Sequence, residues 1–151
     1  MVYFFKGSNT MKNQDLITFL VIEDDDVDFI QIRKSFQELN ICNPIIRARH
    51  GEEGKEIIQN EQIQGFYIIL LDLNMPKMNG HEFMSWLRSS KYSKASVIVM
   101  TTSKDASDID AAFSKWVAGY LVKPLDTNDF VEVMSTLDKY WSFSEMPTSI
   151  S

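Results

Sequence analysis

Residues Ile68–Gly80 read IILLDLNMPKMNG. The run Ile68–Leu71 is continuously apolar, which suits a strand buried on both faces, and it ends in a carboxylate, Asp72, where the chain has to turn. An ionised Asp at such a point is costly unless a positive charge lies beside it. Pro76 cannot continue a ladder, and Gly80 reads as the residue that takes tight-turn backbone angles before the helical pattern His81–Arg88. The carboxylate is therefore displayed on a loop at a strand tip. In an open parallel sheet, that edge is where ligands bind.

Upstream of this stretch, Thr18–Ile22 (TFLVI) predicts a strand that stops in the acidic run Glu23, Asp24, Asp25, Asp26, Val27, Asp28. Asp25, Asp26 and Asp28 suit a helix start, where carboxylates meet unpaired amides and the positive end of the dipole. Glu23 and Asp24 directly follow the apolar run and so lie at the strand tip. A helix from Val27 to Leu39 carries Phe29, Ile32, Phe36 and Leu39 at helical spacing, Ile45–Arg49 reads as a short strand, and Glu52–Gln59 reads as a helix. Downstream, His81–Arg88 turns Phe83, Met84 and Leu87 inward. Ser96–Met100 (SVIVM) is a further strand ending in Thr101, Thr102 and Ser103, and the helix Asp105–Lys115 places Ile109, Ala112 and Phe113 on one face. Ala118–Val122 is the fifth strand, ending in Lys123-Pro124, and the helix Thr127–Trp141 carries Phe130, Val133, Met134, Leu137 and Trp141 on one stripe.

Five strand–helix alternations argue for an α/β doubly wound parallel sheet with helices on both faces. All five strand C-termini then share one edge. That edge gathers Glu23 and Asp24 from the first strand, Asp72 from the third, Thr101 from the fourth and Lys123 from the fifth.

At 151 residues the chain has room for one compact domain, and its 44% hydrophobic content is ordinary for a globular core. Fifteen basic and 21 acidic residues give a formal charge of −6 with no dense Lys/Arg cluster, which disfavours nucleic-acid binding. Cys42 is the only cysteine, so no internal disulfide is available and a small buried residue in a reducing, cytoplasmic compartment is the expectation. No stretch is long enough to span a membrane. Residues 1–15 are set aside as an N-terminal extension, because the first ten residues, ahead of Met11-Lys12, fit an upstream start. Residues 16–141 form the domain, and 142–151 a polar tail expected to fray.

Three carboxylates held together repel unless a cation neutralises them, and all-oxygen ligands suit Mg²⁺, which leaves positions for phosphate oxygens. A metal with Lys123 makes Asp72 a usable nucleophile toward a phosphoryl group, while Thr101 can donate a hydrogen bond to a phosphate oxygen. Taken singly, a strand-end Thr is a turn former, a Lys before Pro is solvated, and a strand-end Asp is a helix cap. Their joint placement at four of five strand ends is what favours the chemical reading.

The runs FLVIEDD, LLDLNMPKMNG, VIVMTTS and GYLVKP, in this order and at these spacings, resemble the receiver domain of bacterial two-component response regulators, over about residues 16 to 141. EDDDVD, PKMNG and the Tyr140-Trp141 ending are further similar to the small stand-alone regulators that serve cyanobacterial phytochromes. The resemblance implies the flavodoxin-like strand order 2-1-3-4-5. It also implies that Asp72 is the phosphoacceptor, Asp24 the direct metal ligand, Glu23 the second acid acting mainly through metal-bound water, and the Asn74 carbonyl a third protein ligand. Thr101 and Lys123 match the switch hydroxyl and the lysine, and Tyr120 the aromatic whose rotamer reports phosphorylation. Glu23 departs from the commoner Asp.

The implied function is a single-domain response regulator: a phosphoacceptor signalling protein, not an enzyme on other substrates, that catalyses only its own phosphotransfer and dephosphorylation. Its implied partners are a sensor histidine kinase of the phytochrome-linked type, a histidine phosphotransfer protein, and a second copy of the chain through the surface of the fourth helix, fifth strand and fifth helix. Trp116, Tyr140, Trp141 and Phe143 gather near that surface, either as ordinary packing or as a contact. Only ten residues follow 141, so no DNA-binding domain is expected there. Ser103 and Asn74, neither acidic nor bulky, flank the path of attacking water and predict hydrolysis of intermediate speed. The competing readings are a phosphorylation-independent receiver-like binding module, an aspartate-nucleophile phosphatase, and a flavin module. The phosphatase is weakened because Asn74 stands where its general acid belongs, and the flavin module lacks a phosphate cradle.

Overall fold

A computed structural model describes residues 2–3, 17–146 and 150. Its strands are β1 (Val2–Tyr3), β2 (Thr18–Ile22), β3 (Ile45–Ala48), β4 (Tyr67–Leu71), β5 (Ser96–Thr101) and β6 (Gly119–Val122). Its helices are α1 (Asp26–Glu38), α2 (Gly51–Gln59), α3 (Gly80–Ser89), α4 (Ala106–Phe113) and α5 (Thr127–Phe143). β2 to β6 are parallel and lie in the order β3-β2-β4-β5-β6, the expected 2-1-3-4-5 arrangement. The sheet has one more strand than the sequence predicted. Val2–Tyr3, which the sequence reading left outside the fold, pairs antiparallel with Ile45 and Ile46 of β3.

The sheet has two apolar faces because its central strands are apolar at nearly every position, Thr18 at the start of β2 being polar. β2 and β4 are buried along their whole length, and alternate residues feed opposite faces. Phe19, Val21, Ile68, Leu70, Ile98 and Met100 pack with Phe29, Ile32 and Phe36 of α1 and Phe130 and Met134 of α5. On the other face Leu20, Ile22, Ile69, Leu71, Val97 and Val99 meet Ile57 and Ile58 of α2, Phe83, Met84 and Leu87 of α3, and Ala112 of α4. The α3 stripe is buried whole, while on α1 and α5 Phe29, Ile32, Phe36, Phe130 and Met134 are buried and Leu39, Val133, Leu137 and Trp141 are partly exposed; α4 differs further. It is eight residues long, Ala112 is its only buried residue, and Phe113 is half exposed, since so short a helix lays one turn on the sheet. The tail also departs from expectation: Ile150 is buried against the α2–α3 face.

Gly80 is required for a reason other than turn angles. Among the described glycines only Gly65 has a positive φ, and the left-handed residue of the 72–79 loop is Lys77, at φ 59°. A Cβ on Gly80 would lie 2.6 Å from the Asp72 carbonyl oxygen and 2.7 Å from Leu73 Cα. The glycine lets α3 begin directly against the backbone that carries Asp72. Gly80→Ala is therefore expected to lower the unfolding free energy by about 3 kcal/mol in urea denaturation, because the clash is with backbone that cannot rotate away. A loss below about 0.5 kcal/mol would contradict the argument.

Candidate functional site

Register brings the strand tips together. Ile22 is paired with Leu71, so Glu23 and Asp72 follow side by side, and the Asp72 amide still donates to the Ile22 carbonyl at 3.0 Å. Thr101 is paired with Val122, and the Lys123 amide donates to the Thr101 carbonyl at 2.8 Å. One carboxylate oxygen from each of Glu23, Asp24 and Asp72 lies within 4.8 Å of the others. Glu23, Asp72 and Thr101 are buried and Asp24 is partly exposed, so the cluster opens to solvent on the Asp24 side. Asn74 is exposed on the same loop, and its amide approaches Asp72 Oδ1 at 3.4 Å.

Lys123 is the cation that the buried acids require. Its Nζ donates to Glu23 Oε2 at 2.6 Å and to Asp28 Oδ2 at 2.7 Å, and stands 3.6 Å from Asp72 Oδ2. Two results were not in the sequence reading: Lys123 is held more closely by Glu23 and Asp28 than by Asp72, and Asp28 is part of the site as well as of the α1 first turn. Asp25 fills the capping role, accepting from the Asp28 amide at 2.9 Å. Burial opposes the charge on Lys123, but its hydrogen bonds to Asp28 and Glu23 outweigh that and hold its pKa above the ordinary value. Burial also pushes the Asp72 carboxyl up, against the pull of Lys123.

Arg47 is a second residue that sequence reasoning missed. Its guanidinium donates to the Glu23 carbonyl at 3.1 Å and the Asp24 carbonyl at 3.2 Å, bonds Asp26 at 2.7 Å, and lies 4.4 Å from the centre of the Phe29 ring. It braces the β2–α1 turn from below, so that both strand-tip acids present their side chains to the pocket. On the far side, Thr101 Oγ1 accepts from the Ser103 amide at 3.4 Å, and the partly buried Tyr120 donates its hydroxyl to the Ser103 carbonyl at 3.0 Å.

Glu23, Asp24, Asp72, Asn74, Thr101 and Lys123 are thus at one edge of the sheet, and Tyr120, inside β6, reaches toward it through its hydroxyl. The donor set fits a hard divalent cation, since three carboxylates at this spacing exceed the one nearby amine in charge and offer only oxygen. Glu23 carries the mark of that imbalance: burial lifts its carboxyl from 4.5 to about 7, with the Lys123 hydrogen bond pulling back and the Asp72 charge adding to the rise.

A carboxyl whose folded pKa exceeds its unfolded value holds its proton better when folded, so ionising it costs stability. Thermal unfolding in EDTA is therefore expected to show stability falling as pH rises from about 4.5 to about 7, with Asp72 shifted in the same direction. Asp26, exposed, and Asp108, partly exposed, are both shifted downward from 3.8 and act below that window. Saturating Mg²⁺ should reverse the slope, because ligands bind deprotonated. A flat profile in EDTA would show that the Lys123 pairing offsets the burial of Glu23 in full.

A doubly wound sheet with clustered acids, a buried hydroxyl and a lysine at its strand tips defines an aspartate-centred α/β module. The chain belongs to the response regulator receiver domain family, whose family model matches residues 19–135. It is 29% identical over 145 residues to the probable methanogenesis regulatory protein FilR2 of Methanothrix harundinacea, covering 93% of this chain and 94% of that one. The response regulator Rcp1 of Synechocystis is 27% identical over 130 residues, covering 81% and 86%. The Mn²⁺-bound form of Rcp1 superposes with a TM-score of 0.78 at 24% identity, covering 87% of this chain and 99% of that one. The response regulator RPA3017 in red light signaling of R. palustris superposes with a TM-score of 0.79 at 31% identity, covering 89% and 100%. Receiver domains are signalling modules that take a phosphoryl group from sensor kinases and bind Mg²⁺ or Mn²⁺ at an acidic pocket. Among the described residues no helix is long and apolar enough to cross a membrane.

Proposed function

We propose that this chain is a phosphorelay receiver whose Asp72 accepts a phosphoryl group from the phosphohistidine of a sensor kinase. The carrying observation is the convergence of Glu23, Asp24 and Asp72 within 4.8 Å with Lys123 at 3.6 Å from Asp72. An Asp72 oxygen attacks phosphorus, the P–N bond to the kinase histidine breaks, and the histidine nitrogen keeps the electron pair and takes a proton. Asp24, Asp72 and the Asn74 carbonyl would hold a divalent cation, with Glu23 beside them, and such a cation would offset charge on the transferring group. Lys123 is close enough to shift from Glu23 to a phosphoryl oxygen, and Thr101 turns its hydroxyl toward another. The chain catalyses this transfer and the hydrolysis of its own acyl phosphate, which returns the Asp72 carboxylate and inorganic phosphate, and nothing on other substrates.

The added group brings about two negative charges, and the arrangement of Thr101, Ser103 and Tyr120 that best holds it gains population. The affected surface is that of α4, β6 and α5, which we assign to a second copy of the chain or a downstream protein. Trp116 is 78% and Phe143 90% exposed there, and Tyr140 is also exposed, whereas Trp141 packs into the α1–α5 core. A groove of about 310 Å³ on the same side is lined by Leu121, Val133 and Leu137. The red-light signaling relative RPA3017 supports a light-responsive kinase as donor; we assign the relay to the cytoplasm, with a histidine phosphotransfer protein as an onward acceptor.

Intact mass after incubation with acetyl phosphate is the test. A single phosphoryl adduct that EDTA prevents is expected. A folded protein that gains none under any condition would favour a phosphorylation-independent binding module.

A further inference from the structure

A connected set of polar side chains between α3 and α4 meets the switch described above only at Ser103, and its His81 and Asp108 have no role in the phosphoryl chemistry proposed there. His81 Nε2 lies 3.0 Å from Asp108 Oδ1, and Ser103 Oγ donates to Asp108 Oδ2 at 2.6 Å. Ser103 Oγ also accepts from the Asp105 amide at 3.3 Å. Ser103 is the residue whose amide meets Thr101 Oγ1 and whose carbonyl receives the Tyr120 hydroxyl. His81 follows Gly80, the glycine pressed against the Asp72 backbone. Asp108 is therefore the joint between α3, which follows the loop that carries Asp72, and the β5–α4 loop, whose Ser103 meets both Thr101 and Tyr120.

An acid in the first turn of a helix is ordinarily there for the dipole. Asp108 is placed differently. The N-cap of α4, Asp105, makes no side-chain capping bond, so the start of α4 is tied down through Ser103 and Asp108. His81 Nδ1 is buried without a hydrogen-bond partner among the described residues, so Nε2 toward Asp108 is the side of the ring that is satisfied. Both Asp108 oxygens are engaged, one by each neighbouring element.

We propose that Asp108 is a positioning residue for the switch: by holding Ser103 against α3, it keeps the β5–α4 loop in the arrangement in which Tyr120 bonds the Ser103 carbonyl, before any phosphoryl group arrives. The inference rests on the receiver reading given above. A loop arranged in advance binds a phosphoryl group more tightly, because the binding-competent fraction multiplies the apparent affinity. One hydrogen bond to a charged, part-exposed acceptor corresponds to about a fivefold change in that fraction.

The test uses the full chain as wild type, Asp108→Ala, Ser103→Ala and the double variant. Two readouts are taken: the NMR ring resonance of Tyr120 in the free protein, and the affinity for beryllofluoride at saturating Mg²⁺. The expected result is a Tyr120 resonance displaced toward a solvent-averaged value in Asp108→Ala, with beryllofluoride bound about fivefold more weakly. Ser103→Ala should do the same, and the double variant should be no worse than either. An unmoved Tyr120 resonance in both single variants, or losses that multiply in the double variant, overturns the proposal. Failure of the wild type to bind beryllofluoride would count against Asp72 as phosphoacceptor and leave the Tyr120 resonance as the deciding measurement for Asp108.

Discussion

Asp72→Asn is expected to yield no phosphoryl adduct by intact mass, at any acetyl phosphate or Mg²⁺ concentration, while the protein stays folded. The carboxylate is the nucleophile, and an amide at that position keeps the shape but offers no anionic oxygen to attack phosphorus. It also removes one of three metal-ligand oxygens, so Mg²⁺ affinity should fall together with the chemistry. Stability should move the opposite way. Burial already pushes the Asp72 carboxyl toward its protonated form, so a neutral side chain relieves repulsion with Glu23 and Asp24. An adduct that persisted in Asp72→Asn would assign the phosphoacceptor elsewhere.

Lys123→Met should produce the largest loss of stability among single changes at the site. The Lys123 side chain is 8% exposed and is the amine that offsets Glu23, Asp28 and Asp72. Removing one partner of a buried ion pair leaves the other uncompensated, which costs about 3 kcal/mol. The cost depends on pH in a defined sense. With Lys123 gone, the Glu23 carboxyl, already at about 7, rises further, so the loss is full at pH 8 and small at pH 5. Denaturant titrations at the two pH values in EDTA read this directly, and Mg²⁺ at pH 8 should restore much of it. Equal losses at both pH values would mean that the methylene stem of Lys123, and not its charge, carries the effect.

The parallel sheet and its active edge were readable from apolar runs that end in specific polar residues. A strand buried on both faces admits few polar residues, so Asp72, Thr101 and Lys123 stand out where the runs stop. What escaped has no periodic signature. Asp28 meets Lys123 across a separation of 95 residues, and His81 meets Asp108 across 27; both look like ordinary helix-start residues in isolation. Arg47 sits in the β3 run, where a lone cation suggests solvent and not a brace beneath two acids. Gly80 was noticed for the wrong reason, because sequence reports a missing side chain without saying whether backbone angle or backbone proximity demands it. Phe113 was assigned inward by spacing alone, and the shortness of α4 turns it out.

The two-residue strand β1 has a bearing on how this protein behaves in a crowded solution. Without Val2–Tyr3, the outer edge of β3 would present the unpaired backbone groups of Ile45 and Ile46, a template on which an extended segment of another molecule could add. The antiparallel partner occupies those groups through Val2 and Tyr3. At the opposite margin β6 runs for only four residues and is followed by Pro124, which lacks a donor. The β3 margin is thus covered by a strand and the β6 margin is short, which disfavours strand addition and leaves association to side-chain surfaces that a phosphoryl group can govern.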